Sequence, residues 1–213
     1  MLSLLNYITS FFTLGATLAL VSIHFGFSVG AIGALILLGF GFIMKRYWAK
    51  KHTSNGMEPC DCEQALNIQF GAYILLLGHS VTALLHTQID IRFGQGSSIA
   101  IDSWMMIFAA IITEFIFKRD RKITDERDAR YSAHAIKWGY LSIILFIVVL
   151  ALYLALTPPS WRLHMSNFLI GNILISVCLT SYCTYLGARL FCYLNERKLI
   201  ELESNVDKGE SNE

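Results

Sequence analysis

Charged residues are scarce in this chain. Asp, Glu, Lys and Arg make up 15% of its 213 residues, whereas hydrophobic residues make up 54%. Soluble globular domains carry about 25% charged residues, so the composition argues against that class. No basic stripe with interleaved aromatic residues is present, so the sequence gives no indication of nucleic-acid binding. The composition predicts an integral membrane protein.

The sequence also lacks the features of a secreted protein. It has five cysteines, an odd number, and three of them (178, 183 and 192) lie in an apolar stretch, which argues against a disulfide framework. The first residues, MLSLLNYITSFFTLGATLAL, have no basic region and no clear small-residue cleavage site. We therefore expect a retained first transmembrane span rather than a cleaved signal peptide.

Catalytic motifs are missing as well. The sequence contains no nucleophile elbow, P-loop, G-x-G-x-x-G or H-E-x-x-H motif, and no paired carboxylates within its apolar runs. A b-type haem would need two facing histidines at mid-membrane depth, and only His79 lies there. The sequence therefore predicts a protein without enzymatic activity and without a bound cofactor.

Apolar runs of the length needed to cross a hydrocarbon core of about 30 Å recur along the chain. The fold class that they predict is an all-α, polytopic bundle, residues 1–195, followed by a polar and disordered tail, 196–213. Asp102 and Ser103 indicate a helix start in the fourth span. We predict six spans, at about 4–24, 28–45, 66–86, 99–117, 136–156 and 167–191.

The distribution of Lys and Arg predicts the orientation of these spans. All Lys and Arg residues except Arg92 and Arg162 fall in three alternate segments, 45–64, 118–137 and the region from 189 onward. Because cytoplasmic loops are enriched in Lys and Arg, both termini are predicted to be cytoplasmic. Small residues that let helices approach closely recur in the second span and in the sixth.

Two histidines and one carboxylate are candidates for an intramembrane polar path. His79 and His86 lie seven residues apart in the third span, and so on one face of a helix. Ionisable groups at this depth are costly and often functional. Glu114, near the end of the fourth span, can instead form an i,i+4 pair with Lys118. Structural histidines and a small transporter or channel through His79, His86 and Glu114 both remain open.

The loop after the second span contains a C-x-C pair, Cys60 and Cys62. Two cytoplasmic thiols could bind a soft metal or report redox state. A tetrahedral zinc site needs four ligands, usually with C-x-x-C spacing, and the loop offers only two good ones. A metal or redox protein is thus one alternative, and a pair of exposed loop cysteines is the other.

Residues 124–131, TDERDARY, concentrate charge just before the fifth span. Thr124 or Asp125 can cap a helix whose first turn is acidic, and Glu126 can pair with Arg130 four residues later. No proline or glycine interrupts the following residues, so we expect one helix from the cytoplasm into span five. These local interactions account for Glu126 and Arg130 but leave Arg127 without an evident partner. The residues predicted to form this stem are Asp125, Glu126, Arg127, Asp128 and Arg130.

The stem, together with the helix that follows it, resembles the D-E-R signature of a widespread group of small prokaryotic integral membrane proteins. Asp125, Glu126 and Arg127 carry the resemblance. The chain departs from that group at Tyr131, where an aliphatic residue is common, and in its first two spans, which resemble an additional hairpin. The group has no agreed biochemical role, so the resemblance implies an architecture and no activity.

The sequence therefore predicts a multi-pass protein of the bacterial plasma membrane with an accessory, sensory or regulatory role. We expect the charged stem to dock a cytoplasmic protein partner or to hold the inner ends of the helices together. Membrane lipids are the other expected partners, and a homo-oligomer is compatible with the sequence.

Overall fold

The computed structural model describes residues 2–25, 28–51, 61–86, 98–117, 126–158 and 167–210. Within these ranges the protein is all-helical and contains no strand. Its helices are α1 (Leu2–Phe25), α2 (Gly30–Lys51), α3 (Asp61–Leu85), α4 (Ser98–Phe117), α5 (Glu126–Leu156) and α6 (Asn167–Glu210).

The helices agree with the predicted membrane architecture at a coarse level. Within the described residues, five helices (α1, α2, α3, α5 and α6) are long and apolar enough to cross a membrane. The all-helical class and a membrane-embedded, multi-pass chain are therefore supported, whereas a count of six spans stays a prediction. α4 begins at Ser98, one residue before the predicted span, so the interpretation of Asp102 and Ser103 as a helix start was wrong: Asp102 lies in the second turn.

Two helices extend well beyond a single span. α5 contains 31 residues and begins at Glu126, so the stem and the fifth span form one continuous helix, as predicted. α6 contains 44 residues and continues to Glu210, through most of the segment predicted to be a disordered tail. At 1.5 Å per residue α6 is about 66 Å long, twice the thickness of a hydrocarbon core.

α3 forms the centre of the bundle. In its candidate span 61% of residues are buried, compared with 6% in that of α5. α3 packs closely against α1, and the two backbones nearly touch at Gly15 and Gly78. A Cβ atom on Gly78 would lie 2.3 Å from the carbonyl oxygen of Phe12, and one on Gly15 would lie 2.0 Å from that of Leu75. Glycine is required at this crossing because any side chain would separate the helices.

The other helices pair around this centre. α2 packs against α4, where Gly33 lies against the Met106 side chain, as expected from the small residues of the second span. α5 packs mainly against α6, where the Ser181 hydroxyl donates to the Gly139 carbonyl at 2.6 Å. α6 also packs against α3. The hairpin of α5 and α6 is thus joined to the rest of the bundle largely through α6.

Candidate functional site

The stem lies at the end of the bundle where α3 and α5 begin. α6 continues beyond this end, which we call the charged end. The first stem residue that the structure describes is Glu126, so Asp125 and Thr124 lie outside the described residues. Glu126 and Arg130 form the expected i,i+4 pair at 3.8 Å, with both side chains more than three-quarters exposed. Such an exposed pair contributes at most about 0.5 kcal/mol.

Arg127 has the partner that local pairing did not provide. Its Nη1 atom lies 3.2 Å from Oε2 of Glu196 on α6. Its guanidinium carbon also lies 5.8 Å from the centre of the Tyr193 ring, within the range of a cation–π contact. The stem arginine therefore reaches across to a neighbouring helix of its own chain.

Asp128 is the most enclosed of the stem residues that the structure describes, with 7% of its surface exposed. The Tyr193 hydroxyl donates to its carboxylate. The Cys62 thiol of α3 donates to the same group, and Arg189 lies close enough to interact electrostatically. One carboxylate thus joins α5 to both α3 and α6.

Glu63 and Arg197 complete the contacts between α3 and α6. Glu63 is 5% exposed, and its Oε2 atom lies 2.5 Å from Nη2 of Arg197. A buried carboxylate without a partner would carry a desolvation cost of several kcal/mol. The charge-assisted hydrogen bond from Arg197 offsets this cost for the buried Glu63. Together these contacts define the charged cluster: Glu63, Arg127, Asp128, Arg189, Tyr193, Glu196 and Arg197.

Helical spacing explains why these side chains meet. Arg189, Tyr193 and Arg197 follow one another at four-residue steps on α6. Glu196 lies three residues after Tyr193, so it lies on the same side of the helix. Tyr131, one turn after Arg127, packs edge-on against Tyr193 with 5.1 Å between ring centres, and its hydroxyl donates to Glu196. The tyrosine that departs from the D-E-R group thus belongs to the same contact surface.

The charges within the cluster balance. Its three carboxylates, Glu63, Asp128 and Glu196, face the three arginines 127, 189 and 197. Each carboxylate has a basic or hydroxyl partner from another helix. The arrangement joins three helices through polar contacts and presents no activated nucleophile. Arg189 is 7% exposed, and its Nε atom has no hydrogen-bond partner among the described residues.

The proposed metal pair can be described only in part. Cys60 lies outside the described residues, and Cys62 is half-buried beside Asp128. Among the described residues no group of three or more His, Cys, Asp or Glu side chains is placed to hold a metal ion. A site that requires both cysteines stays a prediction.

The three residues of the proposed polar path lie in different surroundings. His79 is fully buried, with Nδ1 3.5 Å from the Ser103 hydroxyl and Nε2 without a partner among the described residues. Nδ1 of His86, at the end of α3, is likewise buried without a described partner. Glu114 accepts hydrogen bonds from Tyr73 at 2.9 Å and Tyr182 at 3.3 Å, and its predicted partner Lys118 lies outside the described residues.

Apolar side chains occupy the helices between these positions. Leu75 and Leu76 lie between Tyr73 and His79 on α3, and Met106 and Ala110 lie between Ser103 and Glu114 on α4. All four are buried, with at most 1% of their surface exposed. The polar groups therefore form two separate sites, one around His79 and one around Glu114.

Among the described residues, the side chain with the most hydrogen bonds is that of Asp102, which sequence reasoning did not identify as a site. It is fully buried, and its carboxyl group accepts from the hydroxyls of Ser22 and Ser28 and from the backbone N–H groups of Val29 and Gly30, at 2.5–3.0 Å. It therefore caps the start of α2 from another helix. The only sequence signal was an acidic residue within an apolar run.

Comparison with known proteins adds no assignment to this geometry. No family model, no curated protein and no solved structure matches the chain.

Proposed function

We propose that this chain is a non-enzymatic accessory, sensory or regulatory protein of the bacterial plasma membrane, in which the charged cluster couples two parts of the bundle. One part is the hairpin of α5 and α6, and the other is built around α3. The proposal includes six spans with both termini in the cytoplasm, so that the charged end faces the cytoplasm.

One observation carries the proposal: the stem makes polar contacts with two other helices where it leaves the bundle. Arg127 pairs with Glu196 of α6, and Asp128 bonds to both Cys62 of α3 and Tyr193 of α6. Elsewhere α5 packs mainly against α6 and is largely exposed. A cytoplasmic partner that displaced Arg127 or Glu196 would therefore change how the hairpin is held.

The arrangement favours regulation over catalysis because ion pairs of this kind can be exchanged. The Arg127–Glu196 pair is about one-third exposed on each side, so its coupling energy is on the order of 0.5–1 kcal/mol. A partner could offset that energy with one competing salt bridge. The resemblance to the D-E-R group is consistent with this role and adds no activity to it.

A charge-exchange series tests the coupling. We expect Arg127→Ala to speed backbone hydrogen exchange in residues 126–131 in mild detergent, because the stem loses its contact with α6. The double variant Arg127→Glu/Glu196→Arg should restore protection by rebuilding the pair with reversed charges. Arg130→Ala is the matched control, since Arg130 lies on the same helix and its ion pair among the described residues is with the exposed Glu126.

The same variants test the biological role. In cells that lack the native chain, Arg127→Ala should lose the phenotype or the protein partner that co-purifies with the wild type, and the reversed pair should recover it. If Arg127→Ala and the triple alanine variant at 125–127 left folding, partner recovery and phenotype unchanged, the proposed role of the stem would be wrong.

A further inference from the structure

A groove of about 560 Å³ runs along α6 on a face separate from the charged cluster. α1 and α3 form one wall and include Ile8, Phe70 and Ile74. The first turns of α5 form the other wall through His134 and Trp138. The floor is α6 itself, from Thr180 to Cys192. This stretch is about 18 Å long, close to the roughly 15 Å hydrocarbon depth of one leaflet.

The hydroxyl and indole groups that line the groove already have partners. The hydroxyls of Thr180 and Thr184 donate to carbonyls of their own helix at 2.8 and 2.9 Å. The Trp138 indole N–H donates to the His134 ring at 3.1 Å. Because most of the other lining side chains are apolar, the groove suits an occupant that is apolar along its length.

The groove suits a narrow apolar occupant. A helix with its side chains is about 10 Å across. A single extended hydrocarbon chain is narrower and can lie along α6 in a groove of this volume. A helix of a second copy is the alternative occupant, and the oligomeric state separates the two.

A basic residue lies beyond the end of the groove that is nearer the charged end. Lys198 lies seven residues, about two turns, after Phe191, so it continues the groove-lining side of α6 roughly 10 Å further on. Its side chain is exposed. A ligand whose chain lies in the groove would have its polar end near this cation.

We propose that this groove binds one acyl chain of an anionic phospholipid, with the phosphate group near Lys198. The lipid belongs to the leaflet at the charged end, which the distribution of Lys and Arg predicts to be the cytoplasmic one. The apolar lining selects the chain, and charge complementarity at the open end selects an anionic headgroup over a zwitterionic one. The proposal does not depend on the regulatory role of the charged cluster.

Native mass spectrometry of the full chain in mild detergent tests the proposal. The probes are phosphatidylglycerol and phosphatidylcholine with identical acyl chains, added at equal concentration. We expect one phosphatidylglycerol to be retained, several-fold in preference to phosphatidylcholine. Equal retention of both lipids would overturn the headgroup assignment, and retention of neither would overturn the site.

Variants locate the binding site. Thr184→Phe places a ring on the groove floor and should abolish retention, and Ala188→Leu is a second filling variant if the first fails to fold. Thr13→Phe is the matched control, because Thr13 is exposed on α1, bonds its own helix in the same way and does not line the groove. Equal loss in Thr13→Phe and Thr184→Phe would refute the location.

A charge variant and the oligomeric state complete the test. Lys198→Gln should remove the preference for phosphatidylglycerol, whereas Lys45→Gln on α2, also exposed, should keep it. An unchanged preference in Lys198→Gln would overturn the assigned contact. Should Thr184→Phe convert a wild-type dimer to a monomer without changing lipid retention, the occupant would be a second copy, and the lipid proposal would be wrong.

Discussion

Replacement of Asp102 should destabilise the protein more than any other single truncation of a buried polar side chain that the structure describes. In Asp102→Ala the N–H groups of Val29 and Gly30 lose their acceptor while remaining buried. Each buried, unsatisfied donor costs about 1–3 kcal/mol, and the loss of a cap costs about 1 kcal/mol. Because these terms overlap, we expect a loss of about 3–5 kcal/mol in the free energy of unfolding.

Two further substitutions separate this effect from a general cost of changing a buried polar residue. Asp102→Asn keeps one carbonyl oxygen and should cost about half as much, since its NH₂ group cannot accept. Thr113→Val is the matched control: Thr113 is fully buried on the same helix, but its hydroxyl donates only to the Ala109 carbonyl. Its loss leaves no donor unsatisfied, so we expect a cost below about 1 kcal/mol.

The assay is reversible unfolding in mixed micelles, with sodium dodecyl sulfate as the denaturant and helix content followed by circular dichroism. Stability should fall in the order wild type, Thr113→Val, Asp102→Asn and Asp102→Ala. If Asp102→Ala and Thr113→Val were equally stable, the four hydrogen bonds of Asp102 would not anchor Ser22 of α1 and the start of α2 to α4 as described.

Three further predictions follow from the packing and the topology. Gly78→Ala should cost about 1–3 kcal/mol in the same assay, because its Cβ would lie 2.3 Å from the Phe12 carbonyl oxygen. Gly39→Ala, whose Cβ would have no atom within 4 Å, should be neutral or stabilising. Equal costs for the two variants would contradict the close crossing of α1 and α3. Liposomes that contain the protein should show no proton flux above that of empty liposomes between pH 5 and 8, because buried apolar side chains separate His79 from Glu114. A flux that His79→Ala abolished would establish the transporter alternative. In a cysteine-free background, a membrane-impermeant maleimide should label a cysteine at position 95 but not one at position 45 in intact cells, and the reverse pattern would invert the predicted orientation.

Sequence reasoning identified those features that depend on local composition and helical spacing. Long apolar runs require helices in a membrane, because no water there can satisfy the backbone, and the described chain is all-helical. The continuity of the stem with the fifth span followed from the absence of proline and glycine between Glu126 and Trp138. The i,i+4 pair of Glu126 with Arg130 was also predictable, since both residues lie on one turn of one helix.

The contacts between helices could not be predicted in this way. Arg127 meets Glu196, which lies 69 residues later, and Asp102 bonds to Ser22, 80 residues earlier. The sequence placed several glycines on contact faces, yet it did not identify Gly15 and Gly78 as the positions where two backbones nearly touch.

The sequence by itself thus determined a helical membrane protein and the charged start of α5. The apolar runs that enter a membrane, and the residues that share one face of a helix, follow from the order of residues along the chain. Only the tertiary structure decided that the stem binds its own neighbouring helices, that Asp102 caps α2, and that a groove lies along α6. These features depend on which helices pack together and at what rotation, and one helix's sequence does not specify either.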